Sequence, residues 1–270
     1  LMAKFTVFGS EGFIGRKLTE HLVALGHELL APKKGEQLRV DQNLGHVVYC
    51  VGVTGSDFLT QQFNVARAHV SLAAEVLEKY KFESFLYLSS ARMYEGLDST
   101  HEEAVFRANT ESISDFYNLS KLFGESLVLN CGLPHVRVVR VSYAVNLDPT
   151  STNFVAEKYR EAQTGVVSFS ANRKSTKDYV VLDDVVGILP KIAVSGKFRV
   201  YNVASGKNIS TDEIAKTLEE MTGCKVAFLD TDPVRSPRAI DISRIQNEFG
   251  YRPQSVLDYA KTVIDSGNVQ

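Results

Sequence analysis

Tyr117 and Lys121 stand four residues apart in FYNLSKLFGE (116–125). In a helix that spacing puts both side chains on one face, about one turn apart. A phenol ionises near pH ~10, too high for proton exchange at neutrality, and a neighbouring ammonium draws that value down by favouring the phenolate. A second source of chemistry lies upstream. FLYLSSARMYEG (85–96) reads as a buried strand ending in Ser89 and Ser90. A hydroxyl at a strand's carboxyl end can hydrogen-bond an oxygen that alternates between alcohol and carbonyl. Each pattern alone is common, since Tyr-x-x-x-Lys recurs by chance and paired serines often form turns or helix caps.

The elements that must position these groups follow from periodicity. KFTVFG (4–9) reads as a strand and Phe13–Gly26 as a helix with Ile14, Leu18, Leu22 and Leu25 on one face. Strands are expected at ELLA (28–31), QLRVD (37–41), HVVYCVG (46–52), SFLYLSS (84–90) and HVRVVRVS (135–142), and helices over about 61–80 and 112–130. Apolar runs alternating with helical periodicity signal a parallel sheet with right-handed crossovers. Beyond Asp148 the pattern loosens into helices near 153–164 and 211–222, which predicts a smaller α/β lobe.

Between the first strand and the first helix lies TVFGSEGFIGRKL (6–18), with Gly9, Gly12 and Gly15 at G-x-x-G-x-x-G spacing. In such a turn the glycines permit tight reversal, close approach to a pyrophosphate and helix–strand packing, while the helix N-terminus offers N–H donors. After the second strand, a site for NAD usually carries an acid to accept from the ribose 2′-hydroxyl, whereas NADP calls for cations. LLAPKKGEQ has Lys33 and Lys34 there, which tilts the reading toward NADP, while Glu36 keeps NAD open. Asp41 is a candidate partner for an adenine amino group.

Bulk properties narrow the classes. The chain has 270 residues, 44% hydrophobic and 23% charged, enough for one large core or two unequal lobes. A net charge of -2 gives no electrostatic case for nucleic acid or an anionic membrane, and no apolar run has the roughly 20 residues that span a bilayer. LMAKFTVFG passes directly into a strand, so no signal peptide is expected. Cys50, Cys131 and Cys224, odd in number and far apart, are expected as reduced thiols in the cytoplasm. There is no His/Cys cluster at metal-ligand spacing, so no metal is expected.

Taken together, these stretches resemble the extended short-chain dehydrogenase/reductase superfamily, particularly its NAD-dependent epimerase/dehydratase branch of nucleotide-sugar enzymes. FGSEGFIG matches its glycine turn, YLSSARMY its strand-end motif, YNLSK its Y-x-x-S-K and VVRVSYAVN (138–146) its L-R segment. KDYVVLDDVV (177–186), VYNVASGKNIS (200–210) and DISRIQNEFGYRP (241–253) match later landmarks in the same order. The resemblance implies a Rossmann-type doubly wound parallel sheet with a smaller, interleaved α/β substrate-binding lobe. Residues 1–150 would form the dinucleotide-binding domain, with 176–205 returning to it, and 151–175 and 206–270 the smaller lobe. It places Gly9, Gly12, Phe13, Ile14 and Gly15 in the cofactor turn, Tyr143 near the nicotinamide, and Ser90, Tyr117 and Lys121 in catalysis. It makes Asp183 and Asp184 helix-capping rather than an acid/base pair, and it implies a homodimer built on the helices at 61–80 and 112–130.

Departures from that pattern bear on the substrate. Ala91 and Arg92 occupy the positions after the catalytic hydroxyl where 4,6-dehydratases carry acids, so dehydration is disfavoured. Glu95 replaces a glycine, Asn146 another, and Lys177 an arginine. Arg92, Arg235 and Arg238 are the candidate substrate contacts, the last two because guanidinium forks suit diphosphate oxygens. The expected activity is an NAD(P)-dependent epimerase or reductase acting on a nucleotide-linked sugar. The alternatives are an NADPH-dependent reductase of a non-sugar carbonyl and a non-catalytic dinucleotide-binding redox sensor.

Overall fold

The computed structural model describes residues 2–53 and 57–265. Its contacts divide the chain into two units: Leu1–Met93, Val105–Val141 and Val186–Tyr201 in the first, and Tyr94–Ala104, Ser142–Val185 and Asn202–Gln270 in the second.

The first unit is built on parallel strands β1 (Lys4–Phe8), β2 (Glu28–Leu30), β3 (His46–Tyr49), β4 (Ser84–Ser90) and β5 (Val136–Val141). They lie in the order β2-β1-β3-β4-β5, followed at the edge by a late strand, Val200–Val203. Each of β1, β3 and β4 carries consecutive apolar residues because both of its faces are covered. The register pairs Phe5 with His46, Val47 with Phe85, and Ser90 with Val141. This parallel alignment brings the carboxyl ends of β1, β3 and β4 to one sheet edge.

Helix α1 (Phe13–Ala24) follows β1 and buries Gly15, Leu18 and Leu22. The segment expected as one helix over 61–80 is α2 (Gln62–Ala66), a π-turn (Arg67–Ser71) and α3 (Leu72–Lys79), continuous along the chain. Such an i→i+5 turn leaves carbonyls out of the regular ladder. Two hydroxyls take them: Tyr49 donates to Ala68 O at 2.6 Å and Tyr87 to His69 O at 2.9 Å, from rings stacked 5.7 Å apart. Helix α4 (Ile113–Asn130) starts at Ser112, whose side chain accepts from Asp115 N.

QLRVD (37–41) is not a strand. A parallel strand beside β2 would need a crossover of a dozen residues or more, and the chain instead reaches β3 at His46. Arg39 and Asp41 project into solvent and pair with each other.

The second unit has its own core. Strand β6 (Tyr143–Val145) pairs in parallel with β8 (Thr176–Val181), which pairs antiparallel with β10 (Asn208–Ser210). A two-stranded parallel sheet joins β7 (Val166–Phe169) to β11 (Lys225–Phe228); counting the late edge strand as β9 completes the series. Helices α5 (Phe154–Gln163), α7 (Thr211–Thr222) and α9 (Val256–Asp265) pack Val155, Tyr159, Ile214, Leu218 and Ala260 onto Phe169 and Tyr179. Helix α6 (Leu182–Ser195) follows β8, and α8 (Ser243–Phe249) precedes α9. Ser210 and Glu213 form a reciprocal capping box on α7, the local reason that helix begins where the sequence places it.

No described helix is long and apolar enough to cross a membrane. The three cysteines are free thiols. Among the described residues no three His, Cys, Asp or Glu side chains are gathered to hold a metal ion.

Candidate active site

The glycine turn sits at the carboxyl end of β1. Gly9 has φ +80°, and a Cβ there would approach the Cys50 carbonyl carbon and Val51 N to 2.9 Å. At Gly15 a Cβ would come within 2.0 Å of Gly9 O, so the first turn of α1 can lie against β1 only without one. Gly12 is the N-cap, its N–H donates to Gly9 O at 3.0 Å, and no side chain caps the helix. With no acid in the first turn, the N–H groups at Phe13, Ile14 and Gly15 form a bare positive helix end.

Next along the edge comes the segment after β3. A Cβ on Gly52 would lie 3.4 Å from His69 Nε2 and 3.6 Å from Lys121 Nζ. In space, therefore, Gly9 lies against Cys50 and Val51, and Gly52 beside them lies close to His69 and to Lys121 of the tyrosine-bearing helix.

Tyr117 and Lys121 lie on the buried face of α4 with Ser120, Gly124, Glu125 and Val128. Lys121 is 5% exposed and donates from Nζ to Leu88 O at 2.9 Å, with Tyr87 offering its ring face at 5.2 Å. Burial pushes the ammonium down to about 8, against the opposing pull of Glu125 and Cys50. Ser90, ending β4, hydrogen-bonds the Tyr117 side chain and accepts from Arg92 N at 3.2 Å.

The electrostatics of Tyr117 differ from the expectation that Lys121 lowers its pKa. Burial raises the phenol above its ordinary value, and the opposing pull comes from the Ser90 hydrogen bond and the Arg92 charge. Lys121 is turned toward the backbone of β4, which explains the difference.

His69 was not foreseen as part of this arrangement. Its fully buried ring meets Tyr117 edge-on, with centroids 5.4 Å apart. Ser120 Oγ donates its only proton to Tyr117 O at 2.7 Å, so the 2.8 Å contact between Ser120 Oγ and His69 Nδ1 makes Nδ1 the donor. Nε2 is left to accept from Val53 N at 3.4 Å. Burial pushes His69 down to about 2, with the Lys121 charge adding to the effect, so the ring is neutral. Glu125 was also missed, although it stands four residues after Lys121 on the same face. It forms a buried ion pair with Arg140, with contacts of 2.7, 3.0 and 3.2 Å.

The other candidates lie as follows. Lys33 and Lys34 are exposed, in a turn closed by Lys33 N donating to Glu36 Oε2 at 2.9 Å. Asp41 gives both carboxylate oxygens to Arg39, at 3.2 and 2.9 Å, which compete with the expected adenine contact. In the second unit, Tyr143 is 37% exposed, donates to Glu95 Oε1 at 2.8 Å, and carries Lys177 Nζ 4.5 Å over its ring. Arg235 and Arg238 are exposed, and neither is in an ion pair among the described residues. Asp184 accepts from Gln254 N at 2.8 Å and tethers that segment.

A family model for the NAD dependent epimerase/dehydratase family matches residues 5–204. The chain belongs to the NAD dependent epimerase/dehydratase family. Its match spans the glycine turn, the Ser90 strand end and the Tyr117 helix. The dTDP-4-dehydro-6-deoxy-D-allose reductase of Streptomyces bikiniensis is 20% identical over 308 aligned positions, covering 92% of this chain and 91% of that one. Among solved structures, the NAD-dependent NDP-hexosamine 5,6-dehydratase TunA shares the fold with a TM-score of 0.83 and 16% identity, over 99% of this chain and 98% of that one. RMD from Pseudomonas aeruginosa, complexed with NADPH, gives a TM-score of 0.79 and 19% identity, over 98% and 99%. The family's Rossmann-type parallel sheet is thus this chain's fold, and its members are NAD-dependent sugar epimerases, dehydratases and reductases.

Proposed function

We propose that the protein is an NAD(P)-dependent epimerase or reductase of a nucleotide-linked sugar. What carries the reading is the shared sheet edge: the glycine turn, Gly52, Lys121, Tyr117 and Ser90 follow one another along the carboxyl ends of β1, β3 and β4. The cofactor fits the first of these. A Cβ at Gly9 or Gly15 would fill the turn, and the uncapped α1 N-terminus suits a pyrophosphate. Gly9, Gly12, Phe13, Ile14 and Gly15 would hold that group, with Lys33 and Lys34 placed for a 2′-phosphate. When bound, a nicotinamide dinucleotide supplies hydride acceptance and donation.

The chain's own residues handle the proton and the oxygen. Tyr117 takes the proton of the sugar hydroxyl as the alcohol carbon is oxidised and returns it on reduction. Ser90 donates to the same oxygen as it becomes a carbonyl. Lys121, buried and close to neutrality in its pKa, holds positive charge beside the pair and has two further N–H donors for a ribose hydroxyl. Elimination of water asks for an acid beside Ser90, and Ala91 and Arg92 stand there instead.

The test is incubation with UDP- and dTDP-linked sugars in the presence of NAD, NADH or NADPH, with products followed by mass spectrometry. An isomerised sugar without net cofactor turnover identifies an epimerase, and stoichiometric NAD(P)H loss identifies a reductase. A product lighter by one water, or no turnover of any sugar, overturns the proposal.

A further inference from the structure

Arg92 lies two residues beyond Ser90 in a 3-10 turn, Ala91–Tyr94. Its guanidinium carbon stands 4.9 Å from the Phe58 ring centroid and 5.6 Å from that of Tyr117, and the two rings are 5.3 Å apart. Nη2 donates to Ser114 Oγ at 2.8 Å in the first turn of α4, and the backbone N donates to Ser90 Oγ. The side chain is therefore held at its head by one hydroxyl, with its guanidinium lying over two aromatic rings. Among the described residues it joins no ion pair.

The groups facing Tyr117 come from every neighbouring element. Ser90 and the Tyr87 phenol come from β4, Phe58 from a 3-10 turn at Asp57–Leu59, Arg92 from the turn at Ala91–Tyr94, Val65 from α2, neutral His69 from the π-turn, and Lys121 from α4 itself, its ammonium on Leu88 O. Apart from burial, the groups that act on the Tyr117 phenol are Ser90 and Arg92. We propose that Arg92 is a positioning residue of this site: anchored on Ser114 with its guanidinium over the Tyr117 ring, it supplies the positive charge that balances the phenolate when the hydroxyl proton leaves. This rests on the hydride-transfer reading above. A cation over a neutral ring is already attracted to it, and the attraction grows when the ring becomes an anion. The gain is therefore largest in the state that accepts a sugar proton. An acid at position 92 would repel that state.

The test reads Tyr117 directly, without substrate or cofactor. Protein labelled with [ζ-13C]tyrosine is titrated by NMR, and the Tyr117 resonance is assigned by its loss in Tyr117→Phe. In Arg92→Met the Tyr117 midpoint moves up by about one pH unit, a tenfold fall in phenolate at a given pH, and Arg92→Lys recovers more than half of the shift. Ser114→Ala, which frees the guanidinium without removing it, moves the midpoint in the same direction by less; it serves as the second variant if Arg92→Met does not fold. A Tyr117 midpoint unchanged in these variants overturns the proposal. So does a wild-type Tyr117 that stays protonated until the protein unfolds. Because no nucleotide sugar enters this experiment, a failed substrate assay and a failed titration are separate results.

Discussion

His69 Nδ1 donates to Ser120 Oγ at 2.8 Å, and through that serine the imidazole is joined to the Tyr117 backbone carbonyl one turn back along α4. The ring thus ties the segment after β3, by way of Val53 N, to the helix that carries Tyr117 and Lys121.

This linkage makes stability pH-dependent in a definite direction. His69 has a folded pKa of about 2, below its unfolded value of about 6.5, so the unfolded chain binds the extra proton between the two. Its contribution is complete above pH ~6.5 and falls as the pH drops, by about 1.4 kcal/mol per unit for one proton. Denaturant unfolding should show that slope between pH 6.5 and 4, shared in part by His46, whose pKa burial also lowers. His69→Phe should flatten it and lose about 1–3 kcal/mol at pH 7, since Val53 N and Ser120 Oγ lose their partner.

The Glu125–Arg140 pair offers a second measurement. Both side chains are almost fully buried, at 3% and 4% exposure. Glu125→Gln leaves a buried guanidinium without its counter-charge and should destabilise by about 3–5 kcal/mol in urea unfolding. Replacing both partners by Met should recover most of that loss. Equal destabilisation in the single and double variants would contradict the pairing as the cause.

Two glycines of the opening turn should separate folding from binding. Gly15→Ala puts a Cβ 2.0 Å from a backbone oxygen, and no flexible side chain can yield. Its thermal transition should fall by several degrees, with loss of NADPH fluorescence enhancement. At Gly12 the nearest approach is 3.3 Å and the backbone is extended. Gly12→Ala should keep a near-native transition while weakening NADPH at least tenfold.

Lys33→Ala with Lys34→Ala checks cofactor choice. Both lysines are exposed, so the fold should be unaffected. The dissociation constant for NADPH should rise several-fold while that for NADH stays within a factor of two. Equal changes for both would remove the basis for preferring NADP.

Tyr117→Phe and Ser90→Ala complete the set. Each should lower turnover by about 10²–10⁴-fold with NADPH affinity retained, measured with whichever sugar the panel identifies.

The sequence made some of this legible because short-range geometry decides it. A spacing of four on α4 placed Tyr117 and Lys121 on one buried face. Glycines at 9 and 15 marked a turn that only glycine can make. Other features depend on contacts between distant segments. The π-turn at Arg67–Ser71 adds one residue to a turn without disturbing the apolar pattern, and it persists because Tyr49 and Tyr87 reach it from β3 and β4. QLRVD carried an apparent strand alternation, yet the chain has no crossover to dock it on β2. Where Arg92 points was set by Ser114 and Phe58, residues that no local pattern connects to it.

Strand β9, residues 200–203, is the last member of the central sheet and lies beside β5, which ends at Val141. A ribosome making this chain exposes the β5 edge long before its neighbour exists, for the whole time that residues 142–199 are being added. An unpaired parallel edge of Val-rich backbone invites association with other nascent chains. Truncation before residue 200 would make that vulnerable state permanent.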